Sequence, residues 1–285
     1  MFSKVKGGQR KISVFGSTGF IGSNYVEKSK FATIEIPKES NESASEEILF
    51  LIGTTNNYNV FQDVFVDVES NIIKLLATLE VSRQKFPHLI FNFVSTWFVY
   101  GPIPIPYRED QACEPKGFYS ITKYAAELLL ESYCKTFNLN YRIIRLGNVI
   151  GPGDKKASPQ KNAIQYLADR ILSGYDIDLY DGGNILRDLL HVDDVVKGLD
   201  LIIDKGDKNQ IFNLASGTGT KIGDLLCNLK SVSQSKSNVQ SVDTPRFHKI
   251  VQSQHAILDI SKIEKLGFRI NHKISEKDFL NQWKQ

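Results

Sequence analysis

The chain has 285 residues, 41% of them hydrophobic and 24% charged, with a formal net charge of +3 at neutral pH; this suits one large α/β domain with a subsidiary lobe, or two modest domains, and implies no nucleic-acid partner. Cys113, Cys134 and Cys227 lack metal-type spacing and cannot form a closed disulfide set, which fits a reducing, cytoplasmic setting. No apolar run approaches the roughly 18 residues of a membrane span, and the polar, basic start MFSKVKGGQR is not expected to act as a signal peptide.

KISVFG is a short apolar strand, and STGFIGSNYVEKSK continues it as turn and helix start. ATIEIP alternates toward a second strand ended by Pro37, and the polar KESNESASEE leads straight into the apolar ILFLIG. VESNIIKLLATLEVSRQ then shows helical spacing at Ile72, Leu75, Leu76 and Leu79. LIFNFVS is rich in β-formers, YSITKYAAELLLESYCKTF is a long helix, and YRIIRLGNVIG returns to strand. Strands alternating with helices predict a Rossmann-type α/β fold, a doubly wound parallel sheet. Continuous apolar strands agree, because such a sheet is covered on both faces.

After Gly151 the character changes to loop, helix, short strands and a polar stretch, SVSQSKSNVQS, too short to be a disordered domain. The expected division is a dinucleotide-binding domain over residues 1–155, with about 187–216 returning to it. Residues 156–186 and 217–285 would form the smaller, substrate-binding lobe.

Three motifs carry chemistry. Gly16, Gly19 and Gly22 form G-x-x-G-x-x-G directly after a strand and at the opening of a helix. Glycines there let the backbone turn sharply and approach a pyrophosphate, which then sits on the helix N-terminus; a purely structural turn is the alternative. Tyr119-x-x-x-Lys123 puts both side chains on one helical face. A free tyrosine, with a pKa of roughly 10, is too weakly acidic to act as a base at neutral pH. A nearby cation would favour the phenolate, so such a pair can exchange a proton with an alcohol or ketone. Thr96 stands at the end of the LIFNFV strand, where a parallel sheet binds its ligands, and Ser95 beside it reads as structural. His191 with Asp193 and Asp194 could suggest a metal, but no third ligand follows at sensible spacing, and helix capping by either aspartate is the expectation.

In combination these motifs resemble the extended short-chain dehydrogenase/reductases, the NAD(P)-dependent nucleotide-sugar epimerases, dehydratases and ketoreductases. GSTGFIGS is similar to the family's phosphate turn, VSTWFVYGP to its strand-end hydroxyl motif and YSITK to its Tyr/Lys pair. RIIRLGNVIGPG, RDLLHVDDV, IFNLASG, DTPRFHK and LDISKIEKLGF follow in family order. The resemblance implies that Tyr119 is the acid/base, Thr96 its hydrogen-bonding helper, and Lys123 the holder of the nicotinamide ribose. Gly16, Thr18, Gly19, Phe20, Ile21 and Gly22 would form the cofactor turn. Asn148, Arg187 and Arg246 would grip a nucleotide diphosphate, with Trp97 and Phe98 as walls of the sugar pocket. For Arg187 the alternative is a salt bridge to Asp188, Asp193 or Asp194; for Arg246 it is a solvated loop charge.

Two departures narrow this. Sugar 4,6-dehydratases of the family carry Asp-Glu directly after the threonine, whereas here Trp97-Phe98 cannot exchange a proton, which leaves epimerisation or reduction. At the cofactor end Lys38 precedes Glu39: the lysine would welcome the 2′-phosphate of NADP and the glutamate would repel it. The helix and strand usual after the second strand are missing. The shortened chain resembles compact deoxysugar synthases. The reading leans to NADP over NAD and to a 4-ketoreductase over a 4-epimerase, serving deoxysugar, surface-polysaccharide or lipopolysaccharide synthesis. A homodimer built by two helices per subunit is implied. A non-catalytic member of the fold, or a reductase of a small non-sugar carbonyl, are the alternatives.

Overall fold

The computed structural model describes residues 10–154 and 157–283. The N-terminal start and Lys155–Lys156, where the expected lobe boundary falls, lie outside the described residues.

Six parallel strands form the central sheet, in the order β2 (Ala32–Ile36), β1 (Lys11–Phe15), β3 (Glu47–Phe50), β4 (Ile90–Thr96), β5 (Asn140–Leu146) and β9 (Gln210–Leu214). Both faces are covered. On one, Ile12, Val14, Leu49, Val94 and Ile144 meet α1 (Phe20–Lys28) and α6 (Val192–Lys205) through Tyr25, Val195 and Leu199. On the other, Phe15, Ile48, Phe50, Phe91 and Phe93 meet α3 (Lys74–Lys85) and α4 (Phe118–Thr136) through Leu75, Leu79, Ala126 and Leu130. Side chains alternate between two buried faces, so neither face needs polar residues and the strands read as unbroken apolar runs.

From β2 the chain passes to the far side of β1 without a helix or a further strand. Residues 37–46 form a strap whose serines are hydrogen-bonded within it and to Ser13 and Ser82. Ser45 Oγ and Ser13 Oγ are 2.7 Å apart, Ala44 N donates to Ser13 Oγ at 3.0 Å, and Ser43 N donates to Ser82 Oγ at 3.1 Å. The serines of KESNESASEE are thus internal hydrogen-bonding groups as well as loop residues, and Ser43 and Ser45 are buried. Strand order reverses between β1 and β3, and the crevice at their carboxyl ends is where such sheets bind ligands.

The helix before β4 runs as α2 (Val66–Val68), a π turn (Glu69–Ile73) and α3. β6 (Asn148–Ile150), β8 (Leu186–His191) and β10 (Gly219–Lys221) join in a second sheet, whose Val149 and Leu190 pack on the core of the first, and the smaller lobe adds β7 (Ile177–Tyr180) and β11 (Val239–Val242). Its core is Ile164, Ile171, Leu226 and Phe279, supplied by α5 (Ala163–Leu172), α7 (Ile222–Ser233) and α10 (Glu276–Trp283). The short helices α8 (Arg246–Val251) and α9 (Ser261–Lys265) follow β11. The serine-rich stretch is anchored where Ser235 and Ser237 donate to Ile171 O at 2.5 and 3.1 Å. No helix among the described residues is long and apolar enough to cross a membrane.

Candidate active site

Strand β4 ends at Thr96, which caps the tight turn Trp97–Val99 by accepting from Phe98 N at 3.3 Å. Tyr119 and Lys123 lie one turn apart on the buried face of α4. Thr96 lies close enough to the Tyr119 phenol to favour its ionised form, so α4 and the strand end bring the two hydroxyls together. Lys123 is only 3% exposed, donates to Val94 O at 2.8 Å and lies 4.0 Å from the Phe93 ring centroid.

Asn71, from the π turn, joins this group. It accepts from Thr54 N at 3.0 Å and donates to Thr122 Oγ1 at 2.9 Å. A Cβ at Gly53 would lie 2.9 Å from Asn71 Oδ1 and 3.5 Å from Lys123 Nζ, so both side chains flank that glycine. The sequence reading missed Asn71. Its signal is an asparagine within an apolar helical repeat, at a π turn of the kind frequent at functional sites. Ser95 points away to a buried support, donating to Glu127, which pairs with Arg145 at 2.7 Å.

Burial pushes the Tyr119 phenol up to about 12, opposed by the nearby Thr96 hydroxyl and reinforced by the Asp67 carboxylate. Lys123 does not pull it down as the i, i+4 spacing suggested. Burial lowers Lys123 itself to about 7, opposed by Glu127, and its Nζ is committed to the Val94 carbonyl. In the free site at neutral pH, Tyr119 is therefore a neutral phenol.

A cleft of about 900 Å³ lies on the far side of Phe98, lined by Trp97, Phe98, Asn148 and Arg187 among others, with Thr96, Tyr119 and Lys123 outside its lining. The Phe98 ring meets Tyr119 edge-on at 5.7 Å, Trp97 stacks on Phe98 at 4.0 Å, and the Arg187 guanidinium lies 5.2 Å from the Trp97 centroid. Contacts thus run unbroken from the phenol to the guanidinium.

Arg187 is 6% exposed and donates to three carbonyls, of Leu186, Ser253 and Gln254. The nearby carboxylates are engaged elsewhere: Asp188 by Ser216, Gly217 and Leu258, Asp193 by Lys28, Asp194 by the backbone of Asn271 and His272. Burial lowers the guanidinium to about 10. A desolvated cation without a carboxylate partner is matched by an anionic ligand. Asn148 Oδ1 is buried with no hydrogen-bond partner among the described residues, an acceptor suited to an N–H or O–H of a ligand rather than to its anionic part. Arg246 stands apart from them. It is exposed at the first position of α8, whereas His248 and Lys249, further along the helix, line the cleft.

The glycine turn fits a dinucleotide pyrophosphate. Gly16 has φ +85°, a conformation open to glycine, and a Cβ at Gly22 would lie 2.0 Å from Gly16 O, so α1 packs directly on the turn. Helix α1 has Gly19 as its N-cap, no side-chain cap and no acid in its first turn. That leaves N–H groups and the positive dipole end for an anion. Thr18 and Gly19 are exposed, while Phe20 and Ile21 are half-buried. Lys38 and Glu39 are both exposed beyond the end of β2, with Lys74 Nζ donating to Lys38 O and Ser40 O at 2.8 and 2.9 Å.

Capping of α6 differs from expectation. His191 is the N-cap, its Nδ1 accepting from Asp193 N at 3.2 Å. The third potential ligand that sequence spacing did not offer is His272, stacked on His191 at 4.4 Å; ligand atoms of His191, Asp193 and His272 lie within 4.8 Å of one another. Lys28 Nζ, 2.7 Å from Asp193 Oδ1, already supplies a cation there.

Residues 43–215 match the model of the NAD dependent epimerase/dehydratase family. A putative UDP-glucose 4-epimerase of Methanocaldococcus jannaschii is 25% identical over 90% of this chain and 92% of that protein. A GDP-6-deoxy-D-mannose reductase of Pseudomonas aeruginosa is 27% identical over 66% of this chain and 63% of its own length. In fold, the chain is similar to a Thermotoga maritima UDP-glucose 4-epimerase crystallised with UDP-glucose, with a TM-score of 0.86 and 24% identity over 96% of this chain and 99% of that one. Other structures of similar fold hold NAD or NADPH.

Proposed function

The chain belongs to the NAD dependent epimerase/dehydratase family, and within it we propose that the protein transfers hydride at C4 of a nucleotide-linked sugar, as a 4-ketoreductase in deoxysugar or surface-polysaccharide synthesis. The observation that carries this reading is the unbroken line of contacts from Tyr119 through Phe98 and Trp97 to Arg187. Arg187 and Lys249 hold the diphosphate, Asn148 accepts from an N–H or O–H of the ligand, and the sugar lies along the Trp97–Phe98 wall with its C4 oxygen at Tyr119. Thr96 donates a hydrogen bond to that oxygen. Tyr119, a phenol in the free site, gives it a proton as the carbonyl is reduced. Gly16, Gly19 and Gly22 seat the pyrophosphate, Lys123 holds the ribose, and the bound dinucleotide supplies the hydride. Lys38, exposed beyond the edge strand, favours NADP. Elimination by the Asp-Glu route has no proton-exchanging group at Trp97 and Phe98. The assembly proposed is a homodimer.

The 4-epimerase is the second reading, favoured by the near full-length match to a putative UDP-glucose 4-epimerase. Mass spectrometry of ligands released from the purified protein separates the two. An empty site that binds added NADPH supports the reductase, and NAD retained without addition supports the epimerase. For either, Tyr119→Phe should lower kcat by about 10²–10⁴ with dinucleotide affinity unchanged. Near-normal turnover removes Tyr119 from its role.

A further inference from the structure

At the mouth of the cleft, a second bridge joins the two lobes. The turn Asn57–Phe61 docks on the start of α4, where Ser120 N donates to Asn57 Oδ1 at 3.3 Å, and this carries Tyr58 to the cleft. From the opposite side α8 delivers His248, and Tyr58 Oη and His248 Nδ1 are 2.9 Å apart. Phe247 packs edge-on against Tyr58 at 5.1 Å and Phe61 at 4.6 Å, while Tyr180 meets the imidazole at 5.2 Å. Nδ1 is thereby engaged whether the ring is neutral or charged, since a phenol can donate or accept. Nε2 is the nitrogen left for a ligand.

The groups facing His248 are Tyr58 from the turn, Tyr180 from the end of β7, Arg187 from β8 and Lys249 from its own helix. The nearby Asp181 carboxylate is held by Thr244 and lies toward Lys249. No carboxylate is paired with the imidazole among the described residues, and the two charged neighbours are cations. Burial and then the Arg187 charge push His248 below its ordinary value, so it is neutral in the free protein at pH 7.

We propose that His248 is a further ligand of the substrate diphosphate, oriented by Tyr58 and becoming a cation only when that diphosphate occupies the cleft. This rests on the nucleotide-sugar reading above. A diphosphate beside Arg187 offsets the repulsion that keeps the ring neutral and offers Nε2–H an acceptor, so binding takes up a proton. Affinity then falls as pH rises through the bound-state pKa of the imidazole. The proton comes from solvent and returns to it on release.

The test is calorimetric titration of the whole protein with UDP-glucose, GDP-mannose and dTDP-glucose, whose doubly esterified diphosphates do not themselves titrate near neutrality. Repeating it in buffers of different ionisation enthalpy counts the protons. Wild type should take up a substantial fraction of a proton at pH 7.5 and lose affinity several-fold between pH 6.5 and 8.5. His248→Gln should bind more weakly at pH 6.5, with neither the uptake nor the slope. Tyr58→Phe should retain the uptake with weaker binding. Binding of a nucleotide sugar with equal proton uptake in wild type and His248→Gln overturns the proposal alone. Failure of all three to bind overturns the nucleotide-sugar reading together with it.

Discussion

Lys123 meets two opposed demands. Burial disfavours its charge, bringing it to about 7, yet a cation is what a neighbouring phenol and a ribose hydroxyl would use. The folded protein therefore binds fewer protons at this site than the unfolded chain between pH 7 and the ordinary lysine value of about 10.4. Stability rises with pH across that window and is lowest below it. Lys123→Met should remove the slope and stabilise the ligand-free protein at pH 7 by roughly 1–3 kcal/mol, the relieved desolvation being partly offset by the unsatisfied Val94 carbonyl. Chemical denaturation of both forms at pH 6, 7 and 9 checks this. A variant less stable than wild type at pH 6 would show that the ligand-free site itself favours the charged lysine, and would discard the desolvation argument. The same variant should lose turnover, separating what the lysine costs the fold from what it does for the reaction.

At the scale of elements, the join of β1 and α1 makes a similar separation possible. A Cβ on Gly22 would fall 2.0 Å from Gly16 O and 2.9 Å from Ser17 Cα, both backbone atoms that cannot step aside cheaply. A Cβ on Gly19 would sit 3.3 Å from Gly16 O, a tight approach that a shift of a few tenths of an ångström relieves. Gly22→Ala should thus destabilise the protein by about 1–3 kcal/mol or more through overpacking, with a lower Tm. Gly19→Ala should keep its Tm and weaken dinucleotide binding, because its Cβ projects at the exposed start of the turn. Equal Tm losses in both would mean that the turn answers to packing alone. Much of this was legible beforehand, since strand, turn and helix are contiguous and the six-stranded sheet announces itself in apolar runs. Thr96, Tyr119 and Lys123 were legible for the same reason. Asn71, Tyr58 and His248 were not, because a side chain from a π turn or a distant short helix joins the site only through the fold. Lys249 rather than Arg246 lines the cleft because position along α8 decides access, and charge pattern alone cannot read that. The strap over residues 37–46 could be seen as a missing helix, but serines whose burial depends on partners as distant as Ser13 and Ser82 gave no sign of it.

For the whole molecule, the unanswered surface is the outer side of the helical layer formed by α3 and α4. Ile121 and Leu128, seven residues apart on α4, are 48% and 50% exposed, with Leu129 at 38%; Val81 of α3 is 39% exposed. Going from fully exposed to fully buried is worth roughly 1.5–3 kcal/mol for each such side chain, so these half-exposed ones have part of that still to gain at an interface. The occupant proposed is a second copy, because α3 and α4 run side by side and two helices from each subunit can pack into a four-helix layer related by a two-fold axis. The cleft and the glycine turn open at the carboxyl ends of the strands, away from that layer, so each subunit's site would stay complete and accessible. Sedimentation of the wild type at micromolar concentration should give a dimer. Ile121→Glu with Leu128→Glu should give a monomer of unchanged far-ultraviolet dichroism, since both side chains lie outside the core. Tyr119 and Lys123 lie on the same helix as the substituted residues, so a loose monomeric α4 should also lower kcat while leaving nucleotide-sugar affinity near that of the dimer. A wild type that sediments as a monomer at all concentrations would discard the two-fold layer and leave those apolar side chains without a partner of this kind.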